Sequence, residues 1–407
     1  MNTSTKQYLY QLTLSQLKND GLNIAAEALS QYIDVPIDES LPKDRLLNLV
    51  ETGLHSEQSQ GIYDPHVSSV TNDVEIGEEF LHPRNANRHP NLDPRYFSTH
   101  KSSCRCVGFS SDGSYCASGS SDNSLKLIDV SRASVKGREA SSSNPVLKTF
   151  FGHTDAVNTI VFHPFAPFFA SGGRDGQVCL YDSARNLGGK KSFATHSFDH
   201  NVRSIRWLPS GNWIVAGTES SLLKLIEVSP DATMQVFTGK EAVHHKAPIL
   251  SVDVNFSGTT IATGSADKTC KLFDTRTLSS YASTELTSKV TSVAFSKGGN
   301  YLALTTSSGN LLINDLRMFG DIERLKTIDI HEPRHRPSLA WFPGGNFIGV
   351  TNGSSKDLLI VNTLSGQVNE VSTGHQGPLR DIAISSEGVV STASDDNRVR
   401  LYFPVKI

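Results

Sequence analysis

From about residue 96 onward, apolar positions come in short runs that alternate with polar ones, and each run is bounded by Gly, Asp, Asn or Ser. Period-two alternation with closely spaced turn residues predicts short β-strands. The clearest unit begins Gly152-His153-Thr154-Asp155-Ala156-Val157 and continues through Ile160 and Phe162-His163-Pro164. It then passes Ala170-Ser171-Gly172-Gly173-Arg174-Asp175-Gly176 and ends Val178-Cys179-Leu180-Tyr181-Asp182. The N-terminal stretch has a different period. Leu9, Leu12, Leu17, Ala25, Ala26 and Leu29 fall near helical spacing across residues 5–34, with Asn19-Asp20-Gly21 as a turn. Leu46, Leu47, Val50 and Leu54 give a further apolar face after Pro42, which sits well at a helix start. The pattern therefore predicts a small helical head followed by a long strand-rich body.

The strand unit repeats. Its end falls at Asp129, Asp182, Glu227, Asp274, Asp315, Asn362 and Phe403, a spacing close to the ~40–45 residues of a WD-repeat blade. A four-stranded blade cannot bury both faces alone, so seven such units predict a closed, all-β, seven-bladed WD-repeat propeller over 96–407. A His opens most units: His100, His153, His200, His245 and His375. Asp122, Asp175, Asp267 and Asp396 occupy the following turn. Such a His and turn Asp are expected to meet in a buried hydrogen-bonded network. The third, fifth and sixth units carry Ser220, Ser308 and Ser355 at the turn, and the fifth has Lys289 near the His place. Those blades are expected to be less rigid.

The reading divides the chain into a helical homodimerisation module at 1–56, an acidic polar linker at 57–95 and the propeller. Leu9, Leu12, Leu17, Leu29, Leu46, Leu47 and Val50 are the expected dimerisation residues, because so short a head buries its stripes poorly in a monomer. Residues 1–98 carry a net charge of −7 and the rest +4, an acidic head on a mildly basic body. Five cysteines with no CxxC pair argue against a disulfide framework or a zinc site. An N-terminus without an apolar h-region and the lack of an 18-residue apolar stretch point to a soluble intracellular protein with no membrane contact. The repeat histidines belong to different blades and are too far apart to share a metal. His331 and His335, beside Arg334 and Arg336, read as a solvated loop, and Gly188-Gly189-Lys190-Lys191-Ser192 reads as a basic turn. No nucleophile elbow occurs. The expectation is a non-enzyme without cofactor or metal.

What remains is a docking surface. The residue after the first apolar position of each innermost strand is expected at the narrow rim: Arg105, Asn158, Arg203, Leu250, Thr291, Pro337 and Arg380. Arg174, just before a turn Asp, is expected to join them. Arg105, Arg174, Arg203 and Arg380 are the predicted partner-binding residues, suited to an acidic peptide or a phosphate backbone.

The assembled motifs resemble the WD-repeat subunits of cleavage stimulation factor. The resemblance lies in Leu9-Tyr10-Gln11-Leu12, Ser15-Gln16-Leu17, Asp20-Gly21 and Ile24-Ala25 of the head. In the body it lies in Thr99-His100-Lys101, Cys104-Arg105, Ser118-Gly119-Ser120 and Arg203-Ser204-Ile205, and in Arg398-Val399-Arg400-Leu401-Tyr402 at the end. It implies a nuclear, non-catalytic scaffold in pre-mRNA 3′-end cleavage and polyadenylation. It further implies a homodimer through the head, a propeller that docks the large helical-repeat subunit, and GU-rich RNA contacted mainly indirectly through the complex. The family's C-terminal aromatic-rich end stands here as Leu401-Tyr402-Phe403-Pro404 without Trp. The alternative is a helical-head WD adaptor of a ubiquitin ligase or a cytoskeletal regulatory complex.

Overall fold

The computed structural model describes residues 90–135, 144–183, 191–229, 233–238, 244–316, 323–330 and 335–405. The head, with Leu9, Leu12, Leu17, Leu29, Leu46, Leu47 and Val50, lies outside the described residues, as do Gly188 to Lys190, His331 and Arg334.

The described residues form seven antiparallel sheets of four strands each. Blade 1 spans 104–151, blade 2 157–197, blade 3 202–238, blade 4 249–285, blade 5 290–329 and blade 6 339–371. Blade 7 takes three strands from 379–404 and its outermost strand from β1, Leu92–Thr99. The innermost strands touch in order, and the innermost strand of blade 7 meets that of blade 1. The ring is therefore closed. The repeat ends read from the sequence mark the third strands: these close at Asp129, Asp182, Asp274, Asp315 and Asn362, and Glu227 and Phe403 fall one residue short of theirs.

β1 starts within the stretch read as linker, so the boundary at 96 cuts a strand. It pairs with the strand Arg398–Pro404, Leu92 opposite Pro404 and Thr99 opposite Arg398, with an irregularity between Pro94 and Tyr96. An outer strand tolerates such a proline because only one of its edges must pair. The proline hid the strand in the sequence.

The apolar residues gather in the seams between blades. Leu125, Leu127 and Phe150 of blade 1 pack on Val157, Ile160 and Phe169 of blade 2. Equivalent clusters fill the later seams, including the one where Leu401 and Phe403 of blade 7 meet Cys116 and Ile128 of blade 1. Where a WD dipeptide would put Trp, Tyr181, Phe273 and Tyr402 are buried instead. Each is worth roughly 1.5–3 kcal/mol of burial. All five cysteines are free and buried in these strands.

Polar staples cross the same seams. Thr159 Oγ1 accepts from the Ile205 amide (3.4 Å), Ser204 Oγ from Val252 (3.2 Å) and Ser251 Oγ from Val293 (3.2 Å). Asp381 Oδ2 accepts from the Val107 amide at 2.9 Å and stitches the last blade to the first. The four residues hold the same place on their innermost strands, the third position.

The His–Asp network forms where both residues are present. His153 Nδ1 lies 3.0 Å from Asp175 Oδ2, and its Nε2 lies 2.6 Å from Ser171 Oγ. His245 bridges Asp267 (2.9 Å) and Thr263 (2.7 Å), and His375 bridges Asp396 (2.8 Å) and Thr392 (2.9 Å). In blade 1, His100 bonds Ser124 and Ser118, with Asp122 at 3.5 Å. The carboxylates also accept backbone amides, as Asp175 does from Thr154 and Gln177. The next residue turns left-handed, at Asn123, Gly176, Lys268 and Asn397.

Blades 3, 5 and 6 depart from expectation. His200 is exposed. The residue that hydrogen-bonds back to the preceding blade, as His245 does to Ser221, is Phe198 in blade 3, Leu286 in blade 5 and Ile330 in blade 6. Phe198 packs on the apolar cluster containing Ala216, and Leu286 on the one containing Leu304. These blades thus exchange the polar network for an apolar plug. Lys289 is not in the His place, and Ser355 sits in a longer turn, six residues from 352 to 357, where its Oγ accepts from the Asp357 amide.

Burial, opposed by the facing carboxylate, lowers His245 and His375, so both are neutral in the fold. Asp267 is held down at about 2 against the cost of burial by Thr269, the Lys246 amide and His245, and Asp396 is lowered in the same way. Groups with depressed folded values contribute stability at high pH that is lost as pH falls. His153 differs: burial is outweighed by Asp175 and Cys179, which raise it to about 9, so its contribution is lost as pH rises through that value. The melting temperature is expected to be highest near neutrality, to fall below about pH 6.5 as His245 and His375 take up protons, and to fall again below about pH 4. Calorimetry across this range checks it; a melting temperature that rises on acidification below neutrality contradicts it.

Candidate functional site

The innermost strands share an irregularity that builds the site. In blades 1 to 5 and 7 the pairing register shifts at the second residue of the strand, which is left unopposed. Such a β-bulge re-aims one side chain out of the ladder. The bulged residues are Arg105, Asn158, Arg203, Leu250, Thr291 and Arg380. With Pro337 of blade 6 they all line a central cavity of about 790 Å³. The sequence rule thus located the ring, and the bulge is its physical cause.

The arginines differ in their partners. Arg203 donates through Nη2 to Glu219. Arg380 donates through Nε to Asp395 Oδ1 at 2.7 Å, and His335 approaches the same carboxylate at 3.5 Å. Arg174 is not part of the cavity lining. It stands on the outer lip, mostly exposed, with its Nε 4.0 Å from Asp155 Oδ2. Arg105 has no carboxylate within ion-pair distance among the described residues.

Arg336, read from sequence as part of a solvated loop, instead enters the cavity. Its Nη2 donates to the carbonyl of Leu250 and, at 3.1 Å, to that of Thr291, so it leaves blade 6 to brace blades 4 and 5. Burial first, then Arg203 and Arg105, push its guanidinium down to about 10. Burial also lowers Arg105, and Arg380, Arg203 and Arg174 add to the effect. The guanidiniums therefore lie close enough to repel one another. The Nε groups of Arg105, Arg203 and Arg336 are buried without an acceptor among the described residues.

Two further carboxylates, of which Asp381 lines the cavity, join neighbouring blades. Asp253 accepts from Arg206 Nε (3.0 Å) and the Phe295 amide (2.8 Å). Asp381 accepts from Ser338 Oγ at 2.6 Å besides Val107. Burial raises both. They are spent on joining blades. Among the described residues there is no cluster of His, Cys, Asp and Glu able to hold a metal, and no helix is long and apolar enough to cross a membrane.

The profile of the WD domain, G-beta repeat, matches residues 94–129, 144–182, 190–227, 235–274, 276–315 and 366–402, more than half of the chain. The chain belongs to the WD-repeat family. The three inner strands of blade 6, 339–362, fall outside the match, in keeping with that blade's long turn and missing network. Residues 3–58 match the Cleavage stimulation factor subunit 1 dimerisation domain. The chain therefore combines that domain with WD repeats, as the sequence resemblance implied. It is 27% identical to Cleavage stimulation factor subunit 50 of Arabidopsis thaliana over 72% of this chain and 71% of that protein. It is 26% identical to Pre-mRNA-splicing factor cwf17 of Schizosaccharomyces pombe over 67% of this chain and 91% of the relative. Among solved structures, the Swd1 β-propeller domain of Myceliophteria thermophila superposes with a TM-score of 0.64 at 12% identity, over 78% of this chain and all of that domain. This last likeness bears on the WD-repeat fold alone.

Proposed function

We propose that this chain is a non-catalytic scaffold subunit of a cleavage stimulation factor complex, acting in the nucleus in pre-mRNA 3′-end cleavage and polyadenylation. The observation that carries the reading is the pairing, in one chain, of the matched dimerisation domain with a WD propeller. WD motifs alone serve many assemblies; the head narrows the choice. In this reading the head, through Leu9, Leu12, Leu17, Leu29, Leu46, Leu47 and Val50, pairs two copies. Each propeller docks the large helical-repeat subunit, and GU-rich RNA is reached mainly indirectly through that subunit.

The arginine-lined mouth is the surface on which docking is argued. Arg105, Arg203 and Arg380 converge on it and Arg174 stands at its lip, so an acidic segment of a partner fits. Replacing Arg105, Arg203 and Arg380 together by Ala is expected to reduce capture of the large subunit in a pull-down by at least about tenfold. The melting temperature should stay within about 2 °C, because these side chains lie outside the blade seams. Undiminished capture would remove the mouth as the docking surface.

A further inference from the structure

The Nε groups of Arg105, Arg203 and Arg336 are buried with no acceptor among the described residues. An unsatisfied buried donor is costly, more so on a charged group, and three of them lie around one cavity. We propose that the mouth of the channel is a phosphate site, in which Arg105, Arg203 and Arg336, with Arg380, take the phosphate of a phosphorylated serine or threonine presented by a partner protein. The inference rests on the reading of the mouth as a docking surface and names what that surface recognises.

Chemistry and charge support this occupant. A guanidinium edge offers parallel N–H donors that match phosphate oxygens. Four guanidiniums face two carboxylates, Glu219 on Arg203 and Asp395 on Arg380. Asp381, which burial raises, offsets at most one more charge. The unbalanced charge is thus one to two positive units, and a phosphomonoester carries about −1.5 to −2. A polyphosphate would overshoot. A nucleic-acid strand needs positive charge along a track, whereas here the unpaired guanidiniums converge on one mouth, and the rim arginines Arg203, Arg380 and Arg174 already face Glu219, Asp395 and Asp155. Arg336 is already anchored on the Leu250 and Thr291 carbonyls through Nη2, so its orientation costs little further ordering on binding.

The full chain is passed over three immobilised degenerate peptide libraries with a fixed central phosphoserine, aspartate or serine. The phosphoserine library is expected to retain it at least about tenfold better than the serine library, and clearly better than the aspartate library. Inorganic phosphate should compete this retention away. Arg336→Gln and Arg105→Gln should each cut it to the serine level, while Arg276→Gln, at an exposed position outside the cavity lining, should keep most of it. Competition on the unaltered chain keeps the test decisive if a variant folds poorly. Equal retention of the phosphoserine and aspartate libraries overturns the phosphate site, yet leaves acidic docking standing if the Arg105, Arg203 and Arg380 triple variant loses both. Tighter, Arg336-dependent binding of inositol hexakisphosphate or single-stranded RNA overturns the proposed occupant.

Discussion

A chain lacking residues 1–99 is expected to lose cooperative unfolding, whereas one lacking only 1–89 should retain it. The first truncation removes β1, which supplies the whole outer edge of blade 7 through its ladder with Arg398–Pro404. It also removes Leu92 and Tyr96 from the seams they pack against, the Asn91 carbonyl that accepts from Val405, and the buried Ser98. Each ladder bond is worth about 1 kcal/mol, and the apolar contacts add to it, so a loss on the order of 5 kcal/mol or more is expected. Whole domains are stable by only about 5–15 kcal/mol. The strand Arg398–Pro404 would also be left as a bare edge open to aggregation. Thermal and urea unfolding of both truncations checks this. Equal transitions would mean that β1 does not hold the ring shut.

Gly172→Val is expected to be strongly damaging. A Cβ at this position would sit 2.5 Å from Val202 Cγ1 and 2.9 Å from Thr159 Cγ2, inside the seam between blades 2 and 3. The position recurs: Gly119 faces Val157, Gly217 faces Ile249 and Gly264 faces Val290. Four glycines thus admit the first branched side chain of the next blade at close range. A full Val must push two sheets apart, costing about 3 kcal/mol or more. Val202→Ala, added to Gly172→Val, should recover part of that loss, since the two side chains compete for one space. A fully additive double variant would contradict the account. Blades 5 and 7 carry Thr305 and Ala393 at this place on their second strands. Thr305 turns its hydroxyl to Thr291 and to the Pro337 carbonyl, so the seam before blade 6 is packed differently.

These features show what the sequence could and could not reveal. The seven repeat ends were legible because strand alternation, a tight turn and a terminal marker recur in register, and no single copy has to be decisive. The rim residues were legible for the same reason: a bulge at one fixed place in the repeat turns whatever residue is there into the channel. β1 was obscured because Pro94 breaks the alternation and its partner lies at the far end of the chain. His200 and Lys289 misled because they were matched by residue type near the expected place. Counting back the 22 residues that separate His153 from Asp175 and His245 from Asp267 leads from Ser220 to Phe198 and from Ser308 to Leu286. Spacing carried the signal there, and type did not. Arg336 had no periodic signal. Its segment lacks alternation, and only the closed ring brings it against blades 4 and 5.

The central claim, a propeller scaffold of the cleavage stimulation factor type, is tested most directly by purifying the tagged full chain from its own cells and identifying what accompanies it by mass spectrometry. The account predicts recovery of the large helical-repeat subunit together with other polyadenylation factors. Recovery of a cullin or a tubulin-associated complex in their place would contradict it.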